Sequence, residues 1–462
     1  MKIAIKNLGA IKQAEFTLGE LTIICGGNNT GKTYATYALF GFLSFWRDVF
    51  SIKVPDGDVR RLLNEGSIEL DIQDYIDRAQ TILKNGCNAF TEQLPHVFAS
   101  SDKHFSESQF LVDLDSSDIQ PIPIFDRTMG AAKTQLFSIS KKADSPLVTI
   151  TLLIEKEKVR IPQEVISRII GDALKDIVFG HLFPRPFIAS AERTGAAIFR
   201  KELNFARNRL LEEMSSMEKD INPFELLSKV YTDYALPVKS NVDFTRQLEE
   251  LAKKDSFIAK EHPEILNDFT DIIGGDYLVT KNDELYFVPK GKRIKLTMDE
   301  SSSAVRSLLD IGFYLRHVAA PGDLLMVDEP ELNLHPENQR RVARLFARLV
   351  NIGIKVFITT HSDYVIKELN TLIMLNQGGK RLMALAEREN YSDSEMLDPK
   401  KVKVYIAEEA LIMLDGAQRK TRCQTLVQAD IDSKLGIDAR SFDKTIEDMN
   451  RIQDEIVWGE DE

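Results

Sequence analysis

The chain has 462 residues, 43% of them hydrophobic and 28% charged, and a formal net charge of −12. That length allows more than one compact unit. No apolar stretch is long enough to span a bilayer, so no membrane partner is expected, and the acidic balance disfavours a broad non-specific grip on nucleic acid while leaving room for a local basic groove.

The N-terminus, "MKIAIKNLGAIKQAEF", lacks the apolar core of a secretion signal and instead alternates, with Ile3 and Ile5 on one strand face. Cys25, Cys87 and Cys423 are scattered and odd in number. They fit a reducing compartment without a disulfide framework, so the expected location is the cytoplasm. "ELTIICGG" predicts a buried strand running into a loop, and "GKTYATYALFGFL" predicts the helix that follows. Residues 1–50 are therefore expected to be the first part of an α/β core. From Ser51 to Arg185 charged helical segments (Arg60–Asn64, Tyr75–Lys84) alternate with turn-rich pieces and a strand-like run, Leu147–Glu155. This stretch, 51–185, is expected to be an inserted lobe.

A strand over Phe187–Ser190 resumes the core, followed by a helical stretch over Phe199–Lys219. Pro223 and Pro237 interrupt further helices and argue against a long coiled coil. Residues 275–300 predict a three-stranded meander with turns at Asn282-Asp283 and Gly291. Together, 186–300 make a helical lobe and meander. A helix from Ser301 through His317, a strand at Leu324–Val327, a helix at Pro336–Val350 and a strand at Ile354–Thr360 then signal a parallel sheet within 301–376. The remainder, 377–462, holds the strand-like "KVKVYIAE" and a helical end, "SFDKTIEDMNRIQDEI", and is expected to serve oligomer or partner contacts.

Two stretches carry the chemistry. "GGNNTGKT", Gly26, Gly27, Asn28, Asn29, Thr30, Gly31, Lys32 and Thr33, fits G-x-x-x-x-G-K-[ST] between a strand and a helix. Backbone N–H groups and the helix N-terminus attract phosphates there, Lys32 reaches the β- and γ-phosphates, and the Thr33 hydroxyl binds Mg²⁺. The ligands read from this loop are ATP and Mg²⁺. "LLMVDEPELNLHP" is an apolar strand ending in Asp328, which would hold the metal, and Glu329, which would act as general base on the attacking water. "TTHS" ends the next strand and puts His361 where it can bond the γ-phosphate. The acidic pair Asp430 and Asp432 in "QADIDSK" reads as a solvated turn.

The wide separation of loop and acidic strand, with a Ser-rich segment just before that strand, resembles the order in ABC ATPases of the RecF, SMC/Rad50 and OLD kinds. "EPELNLHPENQRRVARL" is similar to the acidic-strand region of OLD-type and related bacterial AAA-15/AAA-21 ATPases. The resemblance covers 1–50 and 186–376. It implies an α/β fold: a P-loop NTPase of ABC ATPase type with a mostly parallel core sheet, an antiparallel β lobe and a helical insertion. It also implies that "ESSSAVRSLL" stands at the signature motif, departing from L-S-G-G-Q. Ser301, Ser302 and Ser303 would then face the nucleotide of a second subunit, or else merely cap their helix. Glu331, Asn333 and His335 would form a loop crossing that dimer interface, and Glu192 or Arg193 in "SAERTG" would sense metal and γ-phosphate.

Without a nuclease motif in its tail, the chain resembles the standalone ATPase subunits of two-gene bacterial anti-phage systems such as PARIS and Septu, on its size and on "THSDYVIKELN". That resemblance implies a homo-oligomer built from head-to-tail ATPase dimers, a phage protein as trigger and a separate nuclease effector of Toprim type. A RecF/SMC-like clamp on DNA is the other reading. Its candidate contacts are Lys290, Lys292, Arg293 and Lys295, and the helix face Arg340, Arg344, Arg348, which also reads as plain solvated charge.

Overall fold

The computed structural model describes residues 1–131, 134–154, 162–199, 234–282, 284–437 and 440–458. The helical stretch expected over Phe199–Lys219 lies outside the described residues from 200 on, as does Asp283 of the expected turn. Strands β1 (Lys2–Leu8), β2 (Ile11–Thr17) and β3 (Leu21–Cys25) precede helix α1 (Lys32–Val49). Among the described residues no helix is long and apolar enough to cross a membrane. All three cysteines are free.

Two compact units divide the described residues. The first takes those of Met1–Ala4, Phe42–Gln93 and Ser108–Arg185, and the second those of Ile5–Gly41, Leu94–Glu107 and Pro186–Glu462. In the first, β4 (Ser67–Asp71), β5 (Gln109–Asp113), β6 (Phe125–Ala131), β7 (Thr134–Lys141) and β8 (Leu147–Leu152) appear, four of them in one sheet of order β4-β8-β7-β6. Its pairings are antiparallel throughout. Aromatic side chains fill its core edge to face, as where Phe42 meets Phe90 at 5.5 Å and Phe50 meets Phe179 at 5.1 Å.

The second unit is built on β9 (Pro186–Ala189), a meander of β10 (Gly275–Val279), β11 (Leu285–Pro289) and β12 (Leu296–Thr297), then β13 (Leu324–Asp328), β14 (Lys355–Thr360), β15 (Val402–Met413) and β16 (Lys420–Gln428). Its main sheet has the order β16-β15-β3-β14-β13-β9. All neighbours are parallel except the β15–β16 pair. β3 and β13 are buried along their whole length, as "LTIIC" and "LLMVD" require of strands covered on both faces. At the far edge the Asn241 amide completes β9: its Nδ2 donates to Ile188 O (2.5 Å) and its Oδ1 accepts from Ser190 N (2.9 Å). One side chain thus satisfies backbone groups that a further strand would otherwise take.

Three expectations need correction. Residues from 377 on are no appendage, because Val402–Ile406 pair with Leu21–Cys25 inside the main sheet. The alternating "KVKVY" hides a strand whose residues 404–407 are all buried, a partner that β3 needs for its open edge. Leu94–Glu107 belongs with the second unit instead of the inserted lobe, and Phe98 stacks on Tyr34 and Tyr37 at 5.1 and 6.1 Å. Finally, the helix expected over Ser301–His317 breaks at Leu308 into Ser303–Ser307 and Leu309–Phe313, followed by a π-turn over Tyr314–Val318. The break falls beside Ser307, whose carbonyl is taken by a side chain from another helix.

Candidate active site

Registers align the strand ends. Cys25 of β3 is level with Thr360 of β14, and Thr359 with Asp328 of β13. The residues that follow, from Gly26, from His361 and from Glu329, therefore emerge at one edge of the sheet, beyond the carboxyl ends of the strands where α/β sheets bind ligands. There the segment Asn28–Tyr34, with Ala10, Glu329 and His361, lines a cleft of ≈ 690 Å³.

Glycine makes the path of the loop feasible. Gly26 has φ +141°, and a Cβ there would stand 2.6 Å from the Ala407 carbonyl oxygen; Gly31 has φ +95°, and its Cβ would strike the Ile11 side chain at 2.5 Å. Asn29 also takes a positive φ, at 60°. Thr30 Oγ1 donates to Gly27 O (2.8 Å) and folds the loop on itself. Lys32 opens α1, and its buried ammonium donates to Gly26 O (3.0 Å) and Gly27 O (2.7 Å). Burial lowers the pKa of Lys32, and the negative fields of Glu329, Asp328 and Glu331 oppose that. Thr33 is exposed at the start of the helix.

At the end of β13, Asp328 is buried and its Oδ1 accepts a hydrogen bond from Thr359 Oγ1. Burial pushes its carboxyl up to about 6, against the Thr359 hydrogen bond, which lowers it. Glu329 stands in left-handed backbone at φ +52°. Its N–H donates to Thr359 O (3.0 Å), while the carboxylate, 31% exposed, reaches the cleft. His361 Nδ1 lies 3.7 Å from both Glu329 Oε1 and Glu331 Oε1. The Thr33 hydroxyl and the Asp328 carboxylate are hard oxygen donors, the set that Mg²⁺ selects.

Other expected residues sit differently. Glu331 is buried and bonds within its own chain: its Oε1 accepts from Thr360 Oγ1 and from His361 N, each at 2.9 Å. This corrects its assignment to an interface loop; the carboxylate instead ties the acidic tip to the end of β14. Asn333, at φ +61°, and His335 are exposed, and His335 Nδ1 caps the helix Pro336–Asn351. Ser301 Oγ donates to Thr297 O (2.7 Å), Ser302 caps the helix Ser303–Ser307, and Ser303 is exposed. None of these six residues is among those lining the cleft.

Arg193, read as a sensor of metal and phosphate, also needs correcting. It is 1% exposed, and its Nε donates to Ser307 O (2.7 Å), its Nη1 to Ser190 O (2.8 Å) and Asp328 O (2.7 Å), and its Nη2 to Glu329 O (2.8 Å). Glu192 Oε2 accepts from the Tyr37 hydroxyl (3.0 Å). The basic helix face is spent on packing: Arg340 pairs with Glu368 and Glu337, Arg344 with Glu395, and Arg348 with Asp268. Asp432 accepts from the N–H groups of Lys434 and Leu435, as a turn requires.

Ala10 and Tyr34 in the cleft, and Thr359 and Thr360 behind the acidic tip, lie outside the residues that the motifs single out. Their positions mark them in retrospect. Tyr34 follows the loop directly, and Thr359 and Thr360 are polar residues at the end of an otherwise apolar strand.

A model of the AAA ATPase domain family (AAA_15) matches residues 1–366. No curated protein matches the chain. Among solved structures it is similar to an Smc head bound to the C-winged helix domain of ScpA, at 12% identity over 92% of this chain and 97% of the other, with a TM-score of 0.32. The Smc head domain with an extended coiled coil, bound to the C-terminal domain of ScpA from Pyrococcus furiosus, is 14% identical over 98% of each chain, with a TM-score of 0.30. The SMC head domain from Thermotoga maritima is 10% identical over 93% of this chain and 98% of the other, with a TM-score of 0.29.

Proposed function

The chain belongs to the AAA ATPase domain family, and from that premise we propose that it is an ABC-type ATP hydrolase that works as a switch. The observation that carries this reading is the meeting of Lys32, Thr33, Glu329 and His361 on one cleft, at the ends of adjacent parallel strands, with Asp328 level beside them. Gly26, Gly27, Asn28, Asn29, Thr30 and Gly31 cradle the phosphates, and Lys32 neutralises the β- and γ-oxygens. Thr33 and Asp328 hold Mg²⁺, which balances charge on the phosphates when bound. Glu329 takes a proton from the water that attacks the γ-phosphorus. The new P–O bond replaces the one to the β–γ bridging oxygen, so that ADP and inorganic phosphate leave. His361, between Glu329 and Glu331, donates to the γ-phosphate.

In this reading the working form is a head-to-tail dimer acting in the cytoplasm. Ser301, Ser302 and Ser303 of one copy meet the nucleotide of the other, and Asn333 and His335, both exposed, flank the contact. A bound triphosphate then holds one assembly state and hydrolysis releases it. The resemblance of Thr360–Asn370 to anti-phage ATPase subunits supports an assembly that retains a separate Toprim-type nuclease until a phage protein triggers release. The test is to co-express the chain with its genomic neighbours and purify it with ATP or with ADP. A nuclease retained in one nucleotide state and lost in the other supports the switch; retention indifferent to nucleotide removes it.

One observation favours a DNA clamp as the second reading: Lys292, Arg293 and Lys295 are exposed together on the turn after β11. ATP-dependent DNA binding that weakens steeply with salt would favour it.

A further inference from the structure

Among the described residues, Arg193 spends its buried guanidinium on four backbone carbonyls and on no carboxylate. Two of these belong to Asp328 and Glu329, and a third, Ser307 O, ends the short helix Ser303–Ser307. One rigid, planar fork therefore joins the acidic tip to the segment at the signature position. The tip needs such support, because Glu329 is a non-glycine residue at φ +52°, a backbone state that persists only when its surroundings impose it. The counter-charge is Asp310, on the next helix, which is 1% exposed and, among the described residues, has no hydrogen-bond partner on either carboxylate oxygen. Asp310 thus balances the charge of Arg193 through the field without fixing its direction, and the carbonyls alone set where the fork points.

We propose that Arg193 is a positioning residue that makes the aim of the Glu329 carboxylate depend on the place of the helix Ser303–Ser307, so that engagement of that helix by a second copy sets the rate of ATP hydrolysis. This rests on the switch reading above. A docked copy presses on the N-terminal end of the helix, at Ser301–Ser303. Displacement of Ser307 shifts the guanidinium, and the guanidinium shifts the carbonyls of Asp328 and Glu329. Displacements of an ångström at a reacting group change rates by about 100-fold.

The experiment uses the full chain, with ATP turnover followed across protein concentration and nucleotide affinity measured with a fluorescent ATP analogue. Arg193→Lys keeps the charge facing Asp310 but loses the fork. Arg193→Met with Asp310→Asn removes both buried charges together and guards against misfolding. For either folded variant the expected result is nucleotide affinity within about 3-fold of wild type, with kcat about 10- to 100-fold lower and no longer rising with protein concentration. A simple structural role would instead lower affinity and kcat together, and that outcome overturns the proposal. So does wild-type concentration dependence in Arg193→Lys, or failure of both variants to fold. A wild-type rate that is itself independent of concentration fails the switch reading, and the coupling with it.

Discussion

The loop Gly26–Thr33 and the tip Asp328–Glu331 meet at one cleft, which Asn28–Thr33 and Glu329 line, but are held in place by different means. The loop keeps its path by backbone: two glycines at positive φ lie where any Cβ would strike Ala407 or Ile11, and Lys32 bonds back to carbonyls of the loop itself. The tip is held by side chains brought from elsewhere. Thr359 holds Asp328, Thr360 holds Glu331, and Arg193 holds the carbonyls of Asp328 and Glu329. A loop fixed by its own backbone is a local object that a motif can capture. A tip fixed by distant partners is assembled only by the fold, and it is the half that other segments can move.

The contrast can be broken from the loop side first. Lys32→Ala removes a buried cation that faces three acids, and nucleotide affinity is expected to fall by about 100-fold or more, read by titration with a fluorescent ATP analogue. Unchanged affinity would separate the loop from the ligand altogether. On the tip side, Glu329→Gln should leave affinity within a few-fold while turnover falls by about 100- to 10,000-fold. Equal turnover would remove Glu329 as the base.

The next effect is on stability. Gly26→Ala sets a Cβ against the Ala407 carbonyl oxygen at a φ of +141°, which costs about 3 kcal/mol. Chemical denaturation should show that loss. A cost no larger than an exposed Gly57→Ala change, where a Cβ meets nothing, would mean the loop is not pinned against β15.

That loss also bears on how much the sequence could reveal. The loop, β3, β13 and β14 were legible because an unbroken apolar run ending in chemistry is a local signal. So was the meander β10–β11–β12, with Gly291 at the turn after β11. β15 was seen as a strand but not as a neighbour of β3, since its pairing spans nearly four hundred residues and only the contact at Gly26 shows why it must be there. Arg193 was noticed in "SAERTG" and given the wrong task. A charged residue near a phosphate site suggests contact with the ligand, whereas complete burial turns it toward carbonyls. The row Arg340, Arg344, Arg348 misled for a similar reason. Spacing places the three on one face, but it does not reveal Glu368, Glu395 and Asp268 waiting there.

The smallest effect tests whether the tip is tuned by buried charge. Burial pushes the Asp310 carboxyl up to about 7, from an ordinary value of 3.8, against the lowering field of Arg193. Because the folded state holds that proton more tightly than the unfolded chain, folding stability from this group is greatest at low pH and is lost as pH rises through about 7. Tyr277 also lies within the field of Asp310, but its hydroxyl donates to Val305 O (2.5 Å), which leaves Arg193 as the cation opposite Asp310. Asp310→Asn abolishes the titration. Relative to wild type, the variant should gain about 1.4 kcal/mol between about pH 6 and about pH 8, read as a difference of urea midpoints at the two values. A gap that stays constant with pH would mean that Asp310 keeps one protonation state across this range, and that the charge opposite Arg193 is fixed while the carbonyls it grips move.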